Sequence, residues 1–121
     1  MEKRDKNGEG MNQQSGNPLF LFYSYAHEDE ALRHELDKHL LPMQHNGLIT
    51  TRDDHHITPG ADRSHTIRQY LKESRVILLL ISPDYLVSAS CYQTEMPQAL
   101  EQHRVGDALV IPVLLRPDIH S

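Results

Sequence analysis

The chain has 121 residues, which allows one domain around one hydrophobic core. Its 12 Lys and Arg against 17 Asp and Glu leave a formal charge of −5, which argues against nucleic acid or an anionic membrane as a main partner, since both reward clustered cations. The single cysteine, Cys91, excludes an internal disulfide and fits a reducing, cytoplasmic setting, and no apolar run reaches the roughly 18 residues that a membrane span needs.

Met1 to Pro18 is polar, with Met11 as its one large apolar side chain, and reads as a flexible leader before a folded unit over 19–121. Leu19 to Tyr25 is aromatic and apolar, which predicts a first strand with Phe22 and Tyr23 in the core. The polar break Ala26-His27-Glu28-Asp29 suits a helix N-terminus. Leu32, Leu36 and Leu40 then repeat at i+4 as one helical stripe. Pro42 is expected to end that helix, because proline disfavours helical geometry in the residue before it. Gly47 opens a short strand, Leu48 to Thr51. A polar segment, Arg52 to Gly60, leads to a helix from about Ala61 to Ser74, with Ile67 and Leu71 inward.

Val76 to Ile81 reads V-I-L-L-L-I without polar interruption, as a parallel strand buried on both faces does. Ser82-Pro83-Asp84 stops it. Ser88 and Ser90 offer caps for a helix that carries Glu95 in its first turns and runs to about His103. Pro97 lacks a backbone donor, which predicts an irregular turn around Cys91 to Glu95. Ala108 to Leu115 is the last strand, placed at an edge by Pro112. The order β-α-β-α-β-α-β predicts a parallel sheet covered by helices on both faces. Ligands in such sheets sit beyond the C-terminal ends of the strands, where Glu95 is expected to stand. Sheets of this kind usually have five or more strands, so the chain is expected to stop short of the last one.

Three segments carry a resemblance to a known family. Leu21-Phe22-Tyr23-Ser24-Tyr25-Ala26-His27-Glu28-Asp29 follows the pattern F-x-S-Y-x-H-x-D. Asp54-x-x-Ile57-x-Pro59-Gly60 follows the second strand. Ser82-Pro83-x-Tyr85-x-x-Ser88-x-Ser90-Cys91-Tyr92-x-x-Glu95 leaves the third. In order and spacing they resemble the TIR (Toll/interleukin-1 receptor) domain of the bacterial type, from Leu19 to Pro117. The resemblance implies a flavodoxin-like α/β fold of three layers with strand order 2-1-3-4-5, the last strand absent here. It implies cleavage of NAD as substrate at the nicotinamide–ribose bond, with Glu95 catalytic and no cofactor. Tyr25, Ala26, Asp54, Pro59, Gly60 and Cys91 are then residues that border the nucleotide. It also implies homotypic association with other TIR domains in bacterial defence or cell-death signalling. The alternative it allows is a TIR–TIR scaffold without turnover. Bacterial relatives commonly have Trp-His-Asp-Arg where this chain has Arg52-Asp53-Asp54-His55, so the loop is expected to be less pinned.

Other readings are weaker on chemistry. The alternative reading of Glu95 is an ordinary capping or ion-paired carboxylate in a first helical turn. Asp53-Asp54-His55-His56 is too contiguous to converge on one metal ion without a preset turn. Cys91 near a helix start is open to a lowered pKa, yet no histidine has a readable reason to sit beside it. A phospho-accepting receiver domain would place Asp84 near its site, but the acidic pair and strand-end lysine of that fold are not evident.

Overall fold

The computed structural model describes residues 17–54, 57 and 62–115. The expectations for residues 1–16, His55, His56, Pro59, Gly60, Ala61 and Pro117 lie outside the described residues.

The chain runs β1 (Leu19–Ser24), a single 3₁₀ turn (His27–Asp29), α1 (Glu30–His45), β2 (Ile49–Arg52), α2 (Arg63–Glu73), β3 (Val76–Ile81), α3 (Pro83–Val87), a π-helical turn (Ala89–Glu95), α4 (Met96–Arg104) and β4 (Leu109–Leu114). The strands are all parallel and ordered β2-β1-β3-β4. This is the α/β fold that the alternation of elements predicts. The chain leaves β1 for β2 on one side and then crosses back from β2 to β3 on the other, so β1 and β3 mark a switch point, the place where a crevice forms beyond the strands' C-terminal ends.

The sheet has a core on each face. Phe22, Ile77 and Leu79 pack with Ile67 and Leu71 of α2 and Ala99 of α4. Leu21, Tyr23, Tyr25, Leu78 and Leu80 form the other face, against which Leu36 and Leu40 of α1 lie. Ile77 to Leu80 are all buried, as an uninterrupted apolar run in a central parallel strand must be. Each such side chain contributes about 1.5–3 kcal/mol by leaving water. Among the described residues, no helix is long and apolar enough to cross a membrane.

Two expectations are corrected. Pro42 does not end α1, which continues to His45 with the proline inside it. The helix has no buried residue, so the carbonyl that loses its donor lies on an exposed helix, where water can satisfy it. The leucine stripe is also narrower than its spacing predicts, since Leu32 is 48% exposed. Ser82-Pro83-Asp84, read as a strand stop, also starts the short helix α3: Ser82 caps it by accepting from the Tyr85 amide at 3.0 Å, and Pro83 occupies its first turn.

Candidate active site

Ser88 holds the chain as it leaves α3, its Oγ accepting from the Cys91 amide at 3.2 Å. The helix then widens, with the Met96 amide bonding to the Cys91 carbonyl five residues back. Pro97 follows in the first turn of α4, where a missing donor is tolerated. The irregularity expected beside Pro97 is therefore a π-helical turn, a feature frequent at functional sites. Cys91 and Glu95 face inward from it and are buried, while Tyr92, Gln93 and Thr94 are exposed.

Glu95 lies deeper than a rim position. It is 3% exposed. Ser24, the last residue of β1, donates its hydroxyl to Glu95 Oε1 at 2.7 Å. The Tyr85 hydroxyl lies 2.9 Å from the same Ser24 oxygen. Burial raises the pKa of Glu95 to about 7; the Ser24 hydrogen bond opposes the rise, nearby Asp54 adds to it, and Arg63 opposes it. Among the described residues the carboxylate makes this one side-chain hydrogen bond and no ion pair. A capping or ion-paired glutamate would look different, being exposed or held by a cation.

A cleft of about 340 Å³ opens beside this turn, lined by residues that include Tyr25, Ala26, Asp54, Arg63, Ser88 and Cys91. Four sequence-predicted site residues, Tyr25, Ala26, Asp54 and Cys91, thus meet at one hollow. Glu95 is not among the lining residues; it is buried one helical turn beyond Cys91, near enough to Asp54 and Arg63 of the lining for their charges to bear on it. A larger groove of about 720 Å³ between α2 and α4, lined by Arg68, Lys72 and Arg75 among others, sits at the N-terminal ends of β3 and β4. It is at the wrong end of the sheet to involve Glu95. Burial pushes the Cys91 thiol up to about 11, against the expectation of a lowered value, and outweighs the Ser88 hydrogen bond. The thiol is inert packing rather than a nucleophile.

The segment after β2 is pinned, contrary to expectation, over residues 52–54. Arg52 lays its guanidinium 3.8 Å from the Phe20 ring centroid and 4.8 Å from that of Tyr70, and pairs with Glu73 at 2.5 Å. A flat cation thereby does the stacking that an aromatic side chain would do. Asp53 is buried, with its Oδ2 3.8 Å from Arg33 Nε. Arg33 lies over the rings of Tyr23 and Tyr25. Asp54 pairs with Arg63 at the start of α2.

Sequence reasoning missed Ser24, Tyr85 and Arg63 as neighbours of Glu95. Ser24 stood in a quoted motif, and its register opposite Leu79 places a hydroxyl at the end of a buried row. Tyr85 likewise stood in the quoted motif that carries Glu95.

The sequence profile of the TIR domain family matches residues 21–121. An uncharacterized protein, y4lF, of Sinorhizobium fredii (strain NBRC 101917 / NGR234) is 42% identical over 96 residues, which cover 79% of this chain and 30% of that protein. The chain therefore spans less than a third of that relative's length.

Proposed function

This chain belongs to the TIR domain family, and on that premise we propose that, when self-associated, it cleaves NAD at the nicotinamide–ribose bond as part of a cytoplasmic defence or cell-death response in bacteria. The observation that carries the proposal is Glu95: a buried carboxylate without an ion pair, bonded to the last residue of β1 and on the same turn as Cys91, which lines a cleft. Burying an uncompensated acid is destabilising, so its presence calls for a reason beyond packing.

The chemistry needs one carboxylate. The bond from the ribose C1′ to the pyridinium nitrogen breaks, and its electron pair leaves with nicotinamide as a neutral molecule. No general acid is required, unlike in ordinary glycosidases. The ribose becomes an oxocarbenium ion, which an ionised Glu95 stabilises. Water adds to C1′ and releases a proton. Because Glu95 is buried and does not line the cleft, its surroundings must move before it meets the sugar. We assign that movement to self-association.

Purified protein at high concentration, incubated with NAD, is expected to release nicotinamide, and Glu95→Ala protein is not. Equal release from both would remove the proposal. A second reading, an association module without turnover, draws on β4, where Leu109, Ile111 and Leu114 are exposed at the sheet edge. Concentration-dependent association with no nicotinamide from either protein would favour it.

A further inference from the structure

Glu95 ends a directed chain of hydroxyl groups. Ser24 has one hydroxyl proton, and the 2.7 Å contact gives it to Glu95 Oε1. The Ser24 oxygen is then the acceptor in its 2.9 Å contact with Tyr85, so Tyr85 donates. Each donor points toward the carboxylate. All three residues are buried: Ser24 and Tyr85 at 0% exposure, Glu95 at 3%. They come from three separate elements, β1, α3 and the π-helical turn. The Tyr85 backbone is itself fixed by the Ser82 cap.

We propose that Ser24, backed by Tyr85, is a positioning residue that holds Glu95 in its ionised form and fixes where the carboxylate points. The catalytic part of this rests on the functional reading above; the electrostatic part does not. A hydroxyl that donates to a carboxylate favours the charged form, and more so away from water. The other groups that bear on Glu95 do not supply that preference together. Asp54, on the segment after β2, disfavours the charge, and Arg63 of α2 favours it while engaged with Asp54. Cys91, on the same turn, stays a neutral thiol. Tyr85 also stays protonated, its pKa raised by burial, and so remains a donor across the physiological range. Ser24 is thus the one close donor that opposes the cost of burial.

The test is carboxyl carbon-13 NMR of the full chain labelled in glutamate, with the Glu95 resonance identified by its loss in Glu95→Gln. Wild-type Glu95 is expected to titrate near pH 7. Ser24→Ala should move its midpoint up by about one unit, the size expected for losing a hydrogen bond to a charged group. Ser24→Thr, which keeps the hydroxyl, should restore the wild-type midpoint, and Tyr85→Phe should give a smaller upward shift. An unchanged midpoint in Ser24→Ala overturns the proposal. Should that variant fail to fold, an unchanged midpoint in Tyr85→Phe overturns it equally. Nicotinamide release over the same pH range separates the two claims. Shifted NMR midpoints without release in any variant support Ser24 as the carboxylate's holder and contradict the enzyme reading. Release whose pH midpoint ignores Ser24→Ala does the reverse.

Discussion

At the scale of single residues, Glu95 is where the proposed function and stability oppose each other. Burial lifts its pKa from 4.5 to about 7. The folded protein therefore holds a proton that the unfolded chain releases more easily. Stability from this group is full below about pH 4.5 and is lost as the pH rises through about 7. Glu95→Gln removes the charge while keeping an acceptor for Ser24. In denaturant titrations it is expected to be more stable than wild type by about 3 kcal/mol at pH 8 and by less than about 1 kcal/mol at pH 5. A constant difference at both values would mean that Glu95 does not titrate in this range. The proposed cleavage needs the ionised form, so on that reading activity should rise toward alkaline pH while stability falls. Glu95 was legible as a candidate because a lone acid follows an apolar strand and a capped turn. Its partners were not, because Ser24 lies 71 residues away and only the fold brings it near.

At the scale of elements, two prolines had opposite outcomes for one reason. Pro97 falls in a first turn, where its missing donor has no partner to lose, and the preceding helix takes the π form. Pro42 falls inside α1, whose exposure lets water replace the lost bond. Sequence spacing showed where each irregularity had to be considered, but not whether solvent was at hand to absorb it. Arg52 is the other case that spacing hid. Read as the loss of an aromatic anchor, it proves to be a stacked cation between Phe20, Tyr70 and Glu73. Arg52→Ala is expected to cost about 1–2 kcal/mol, most of it from the stacking, since the ion pair is partly exposed. Its Tm should fall by roughly 5–10 °C. Arg52→Trp should keep most of that stability by filling the same place. An alanine variant with an unchanged Tm would show that the stack contributes nothing.

At the scale of the whole molecule, the parallel sheet was readable from the alternation of strand and helix, its strand order from the family resemblance, and buried β3 from its composition. The site was readable as a place, the C-terminal mouth between β1 and β3. Its depth was not, because burial of Glu95 depends on how α3 and the π-helical turn close over β1. The sheet's exposed edge follows from the same order. β4 pairs with β3 on one side, and among the described residues no strand covers the other. Such an edge invites association. Pro112 and the exposed Ile111 sit on it. Ile111→Lys is expected to weaken concentration-dependent association by several-fold in sedimentation velocity, with Tm changed little. Unaltered association would place the contact elsewhere on the surface.

The most direct measurement is a proton NMR time course of NAD at pH 8 with concentrated wild-type and Glu95→Gln protein, both verified as folded. Free nicotinamide should accumulate with wild type and stay at the level of buffer alone with Glu95→Gln. Matching time courses for the two proteins, rising or flat, would contradict Glu95 as the group that stabilises the sugar cation.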